Sequence, residues 1–386
     1  MSQRSFKKEP QQCKKQTRQL RPQVEELKHY GALVLAGENE QISPPLELDQ
    51  LDTLDYHGIT LLVKNCIRDN DVPSPLSITL KQRRALAISN EALLKQALAQ
   101  TFDACAKAGL KRFVVFKGTA LAYSVYPKAW LRPRSDCDLL INSKDLNAFK
   151  QMFEKLGFSQ QFGISGNYVS YQQTFNRPLV GDSTLNIDLH WRISNRQCLA
   201  NTYEVEDILL TSQSLTEIHS SANIPSTIDS LLIACLHRLG HHASEERIAW
   251  LYDIHLLAQS LNTSEWHTLT ERAQSKQLCS ITIDALRLCT QVFATRVPNK
   301  VIETLQQTIS NAALEPSQFL LQRDLPQWRY FLHDVKSIHS LRAKFAFVRE
   351  TMLPSHDYLR QKTGTQWLVI AYFKRFKQGI RRLSRN

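Results

Sequence analysis

Asp136 and Asp138 stand two residues apart in the segment DCDLLI, residues 136–141. Side chains alternate along an extended strand, so the two carboxylates share one face while Cys137, Leu139 and Ile141 point to the other. Adjacent carboxylates repel unless a cation lies between them. A hard divalent ion is the usual remedy, and Mg²⁺ typically takes one or two carboxylates together with substrate phosphates. A DxD pair alone is a common way to start a solvent-facing strand. The segment TLNIDLHW, residues 184–191, adds weight to it. Its Leu185, Ile187, Leu189 and Trp191 share one face, and Asn186, Asp188 and His190 the other. If the two strands are neighbours, Asp188 joins the pair, and three carboxylates suit metal-assisted phosphoryl transfer. Upstream, Lys117-Gly118-Thr119 joins an apolar run to a short helical pattern. Gly118 lets the backbone approach a ligand, Thr119 is placed to cap the helix, and a helix N-terminus attracts phosphate, although taken alone the motif reads as an ordinary strand-to-helix turn.

The elements that must hold these residues follow from periodicity. Residues 1–21 are polar, basic and Gln-rich, the composition of a disordered segment. Residues 22–104 read as helical, with a first helix near 22–36. A long helix over 82–108 carries Leu93, Leu94, Ala97, Leu98, Phe102 and Cys105 on its apolar positions and stops at Gly109. RFVVF (112–116) and DCDLLIN read as strands. A helix follows with Ser143 as its N-cap and Phe149, Met152, Phe153 and Leu156 on one face. FSQQF, YVSYQQTF and TLNIDLHW complete a core over 105–195, with Trp191 read as interior. Helices are expected again over 226–357, with Leu231, Leu232, Cys235, Leu236 and Leu239 on one face and further helices near 246–260, 263–276, 280–293 and 299–311. The fold class is α/β in the α+β sense: a small mixed sheet between helical N- and C-terminal regions.

Composition narrows the function classes. The 386 residues carry a net charge of +12, but residues 1–28 hold +5 of it and residues 358–386 hold +8, leaving a body of −1. A nucleic-acid reader normally carries its basic residues on the folded domain, so sequence-specific nucleic-acid binding is disfavoured. The longest apolar run, WLVIAYF at 367–373, is too short to span a membrane, and MSQRSFKKEPQQ lacks the apolar stretch of a secretory signal. Eight scattered cysteines without a CxxC pair fit reduced thiols and a cytoplasmic setting. The last segment, 358–386, is basic with an apolar stripe of Val369, Phe373, Phe376, Ile380 and Leu383. It reads either as a packed helix or as a peripheral contact with an anionic membrane or acidic partner.

Strand, Gly-Thr turn, helix, an hDhDh strand and a later strand with a third Asp form an ordered set that resembles the polymerase-β type of nucleotidyltransferase. More narrowly, FKGTALAYSVYP, LRPRSDCDLLI, IDLHWRI and LLIACLHRLGHH with RIAWLYDIHLL resemble NTP-transferase family 5, uncharacterised nucleotidyltransferases, from about residue 25 to the C-terminus. The resemblance implies transfer of a nucleoside monophosphate from an NTP to a hydroxyl acceptor, with Mg²⁺ or Mn²⁺. It implies that Asp136, Asp138 and Asp188 hold the metal, Asp188 also helping to deprotonate the acceptor. Gly118 and Thr119 would cradle the β- and γ-phosphates, with Lys117 and Arg132 balancing their charge. Lys117 departs from the wider superfamily, where Gly or an apolar residue is common. His237 and His241, four apart on a helix, and Asp253 could bind zinc, but Arg238 stands where an HExxH motif needs Glu. His237 and His241 are therefore read as cleft lining or as satisfied core histidines, and His190 is placed where it could face the cleft. The alternative to an enzyme is a catalytically silent nucleotide-binding or scaffold protein docking through its basic ends.

Overall fold

The computed structural model describes residues 24–38, 48–66, 75–161, 167–240, 245–311, 315–322 and 325–383. The segment 1–21 and His241 lie outside them. Helices α1 (Val24–Glu38), α2 (Leu51–His57) and α3 (Pro75–Lys107) come first. Pro75 suits the first turn of α3, where a missing N–H costs nothing. Its end is fixed by Gly109 at φ +80°, the left-handed position that glycine adopts without strain.

The core runs β1 (Phe113–Phe116), α4 (Lys117–Ser124), β2 (Cys137–Ile141), α5 (Leu146–Lys155), β3 (Ser159–Gln160), β4 (Gln172–Pro178) and β5 (Thr184–His190). After α6 (Val205–Leu209), the two-residue strands β6 (Gln213–Ser214) and β7 (Asn223–Ile224) complete the sheet. Strand order is β3-β4-β5-β2-β1-β7-β6, a mixed sheet in which β2 is antiparallel to β1 and parallel to β5. The helical part comprises α7 (Thr227–Gly240), α8 (Ile248–Gln259), α9 (Thr263–Ser275), α10 (Cys279–Phe293) and α11 (Asn299–Asn311). It continues through α12 (Gln327–Ser337), α13 (Leu341–Met352), α14 (His356–Thr363) and α15 (Leu368–Leu383).

The sheet is buried on both faces, and the period of two sorts its side chains between two cores. Phe113, Val115, Cys137, Leu139, Ile141, Leu185, Ile187 and Leu189 pack with Phe102 and Cys105 of α3 and Phe149 and Phe153 of α5. Val114, Phe116 and Leu140 turn the other way, into the core shared with α1, α7, α8 and α10. Each fully buried Phe or Leu contributes about 1.5–3 kcal/mol over an exposed one. The face that carries Asp138 and His190 is therefore the face covered by the helical body. A cleft opens where that cover stops.

Two sequence expectations change here. Asn142, not Ser143, is the cap: its side chain accepts from the Lys144 N–H, and Ser143 to Asp145 form a turn of 3-10 helix before α5. Trp191 is half-exposed rather than interior, because β5 ends at His190 and alternation no longer governs the next residue.

Candidate active site

Residues 138 and 188 are directly paired on the parallel strands β2 and β5. The polar face of β5 is wholly committed to the segment carrying the other aspartates. Asn186 Nδ2 donates to the Ser135 carbonyl at 2.8 Å, Asp188 sits beside Asp138, and His190 Nε2 lies 2.8 Å from Asp138 Oδ1. Ligand atoms of Asp138, Asp188 and His190 all lie within 4.8 Å of one another. Asp188 is oriented from β4, accepting from Thr174 Oγ1 at 2.6 Å and from Gln172 Nε2 at 3.0 Å.

Lys117 and His190 both bind Oδ1 of Asp138, Lys117 Nζ at 2.7 Å. Burial pushes this carboxyl up, but the Lys117 ammonium and the His190 hydrogen bond outweigh it, and the carboxyl stays below the ordinary range. Burial, helped by the Lys117 charge, lowers the imidazole of His190, whose Nε2 faces Asp138 Oδ1. Asp136 is different. Its side chain makes no hydrogen bond or ion pair among the described residues, and burial followed by repulsion from Asp138 and Asp188 pushes it from 3.8 up to about 6. Mutual repulsion among the three neighbouring carboxylates is a cost that a bound cation would relieve.

The Lys-Gly-Thr turn is unlike an ordinary helix start. Lys117 opens α4 at φ +54°, a left-handed conformation that costs a residue with a Cβ about 1–2 kcal/mol. The backbone bends there, Gly118 faces the cleft, and the ammonium reaches Asp138. Thr119 does not cap the helix: it is buried, and its Oγ1 donates to the Asp136 carbonyl at 3.3 Å. Cys137, between the aspartates, points into the opposite core, and burial raises its thiol to about 12.

A cleft of about 640 Å³ contains Lys117, Gly118, Asp136, Asp138 and Asp188 on its sheet side. Its far wall comes from α2, α7 and α8, with His57, His237, Arg247, Trp250 and Asp253. Arg132 crosses between the walls, giving Nε and Nη2 to the two oxygens of Asp253 at 2.8 and 2.7 Å, while Tyr126 donates to the same carboxylate at 2.8 Å. Arg132 thus fastens the loop before Asp136 to α8. Asp253 is engaged with it, and His237 meets the Trp250 ring edge-on at 5.8 Å. Among the described residues neither belongs to a group able to hold a metal. The Arg247 guanidinium lies between the rings of Tyr56 and Trp250, 5.0 and 5.2 Å from their centroids. Its Nε and the Nδ1 of His57 are buried without a hydrogen-bond partner among the described residues.

The structure therefore brings Asp136, Asp138, Asp188, Lys117, Gly118, Arg132 and His237 to one cleft, and sets His190 behind Asp138 and Thr119 beneath Asp136. Sequence reasoning missed His57, Arg247, Trp250, Thr174 and Gln172. Thr174 and Gln172 alternate on β4 just as Asn186 and Asp188 do on β5, which is the signal that could have found them.

Compared with known protein families, residues 48–294 match the family described as uncharacterised nucleotidyltransferase, a narrower span than the resemblance from about residue 25 to the C-terminus. No curated protein matches the chain. The match covers more than half of the sequence, and the chain belongs to this nucleotidyltransferase family.

Proposed function

From that membership we propose that the protein is a Mg²⁺-dependent enzyme, with Mn²⁺ able to substitute, that transfers a nucleoside monophosphate from an NTP to a hydroxyl-bearing acceptor and releases pyrophosphate. The observation that carries the reading is the direct pairing of Asp138 with Asp188 beside an unpartnered Asp136 in one cleft. The donor set fits the ion: carboxylate oxygens suit a hard cation, Asp138 has both its contacts on Oδ1, and Asp136 has no partner among the described residues. Asp136, Asp138 and Asp188 would hold Mg²⁺, which when bound neutralises the triphosphate and the departing pyrophosphate.

The chain supplies the rest. The acceptor oxygen bonds to the α-phosphorus as the bond from that phosphorus to the bridging oxygen breaks. The acceptor proton passes to Asp188, whose orientation Thr174 and Gln172 fix. His190 fixes Asp138 in the same way. Backbone N–H groups at the start of α4 and the Lys117 ammonium face the phosphates. Thr119 acts beneath them by holding the Asp136 backbone, and Arg132 by tying the cleft walls together. Residues 105–195 form the catalytic core in this reading. The helical regions 22–104 and 226–357 wall the cleft, and 1–21 and 358–386 are basic extensions. Cys105, Cys137, Cys198, Cys235, Cys279 and Cys289 are free, which supports a cytoplasmic setting.

One observation favours a second reading. Lys117 already neutralises Asp138, as it would in a silent relative that binds nucleotide without using a metal. Equilibrium dialysis with each NTP, with and without Mg²⁺, joined to a pyrophosphate assay in the presence of cell extract, separates the two. Mg²⁺-dependent binding and pyrophosphate release support the enzyme. Mg²⁺-independent binding without release supports the silent protein, and no NTP binding overturns both.

A further inference from the structure

Among the described residues, nine exposed large hydrophobic side chains fall within the 33 residues from Leu341 to Phe373, and as many are scattered over residues 24–332. Those on α13 follow helical spacing: Leu341, Phe345 and Met352 stand on its outer side while Ala343, Phe347 and Glu350 face inward. Val369 and Phe373 stand on the outer side of α15, which rests on the body through Ala371. The two helices are fastened together, since Arg375 donates to the Thr351 carbonyl at 2.8 Å and Tyr372 to the Pro354 carbonyl at 3.0 Å. The exposed rings and branched chains protrude strongly. Leu341 and Val369 are each 82 % exposed and Phe345 72 %.

The charge around them is mainly positive: residues 341–386 contain eleven Lys/Arg against two acids, Glu350 and Asp357. Residues 358–386 contain eight Lys/Arg and no Asp or Glu. On α13 the exposed charges are Arg342 and Arg349, whereas its one acid, Glu350, is buried and accepts from the Asn167 and Tyr168 N–H groups. Protruding apolar side chains within a cationic field match the boundary between anionic headgroups and acyl chains, which takes up separate wedges rather than requiring a groove.

We propose that α13 and α15 together form a peripheral docking surface for an anionic lipid membrane, with Phe345, Val369 and Phe373 entering the headgroup boundary and the flanking Arg and Lys residues drawing the surface in. No described helix is long and apolar enough to cross a membrane. None of the residues of α13 or α15 lines the cleft, so docking and nucleotide binding are separable.

The test is co-sedimentation of the full chain with vesicles of phosphatidylcholine alone and of phosphatidylcholine with phosphatidylglycerol. Binding is expected only to the anionic vesicles, falling about fivefold for each cation removed in Lys374→Gln and Arg342→Gln. Val369→Glu with Phe373→Glu is expected to abolish it while NTP binding stays at the wild-type level. No binding to anionic vesicles, or equal binding to neutral ones, overturns the proposal. So does anionic binding that survives Val369→Glu with Phe373→Glu, which would reduce the surface to a basic patch for acidic partners.

Discussion

Replacing Asp136 by Asn should make the metal-free protein more stable while abolishing its response to Mg²⁺. The Asp136 carboxyl is raised from 3.8 to about 6, through burial first and the Asp138 and Asp188 charges next. The folded chain therefore keeps a proton through the window from about pH 4 to 6 that the unfolded chain has already released. Stability falls as pH rises through that window, and the loss is complete above it. About two units at roughly 1.4 kcal/mol each give a ceiling of about 3 kcal/mol, and partial exposure of the carboxyl lowers the expected value to about 1–2 kcal/mol. Asn keeps the shape without the charge, and no side-chain hydrogen bond of Asp136 is lost among the described residues. The assay is urea unfolding in EDTA from pH 4 to 8. Taking the difference between the two proteins removes contributions common to both, including that of His190. The curves should converge near pH 4 and separate above pH 6, with Asp136→Asn the more stable, and Mg²⁺ should stabilise only the wild type. An Asp136→Asn protein no more stable than wild type at pH 7.5 in EDTA, or one that gains equally from Mg²⁺, would refute the argument.

Three further outcomes follow from particular contacts. Arg132→Ala should cost about 3–5 kcal/mol in urea unfolding, because it strands the buried Asp253 carboxylate. At position 117, whose φ is +54°, Lys117→Val should be less stable than Lys117→Gly by about 1–3 kcal/mol, although both lose the ammonium. Gly31→Ala would place a Cβ 2.5 Å from Val292 Cγ1 and 2.8 Å from its carbonyl oxygen, where α1 crosses α10. It should destabilise by about 1–3 kcal/mol and lower the thermal midpoint without altering NTP affinity.

The parts of this molecule legible from sequence are those governed by one local period. Alternation of two placed Asp136 and Asp138 on one face and aligned Asn186, Asp188 and His190. The helical period found α7 to α11 to within a few residues. What escaped depends on distance or brevity. Arg132 and Asp253 are 121 positions apart, so their pairing has no local trace. The β6 and β7 strands are two residues long, too short for a pattern of any period. Asn142 and Ser143 are both good caps, and only the backbone decides between them. The Lys117 contact with Asp138 is equally invisible, since a positive φ must turn the chain before the ammonium can reach the carboxylate.

The most direct test of the central claim follows the label in NTP carrying ³²P on either the α- or the γ-phosphate, incubated with the protein, Mg²⁺ and cell extract. The account predicts that the α-label enters an acceptor while the γ-label leaves as pyrophosphate, and that Asp138→Asn and Asp188→Asn each stop both. Transfer of the γ-label to the acceptor, or α-label transfer that survives both substitutions, would contradict it.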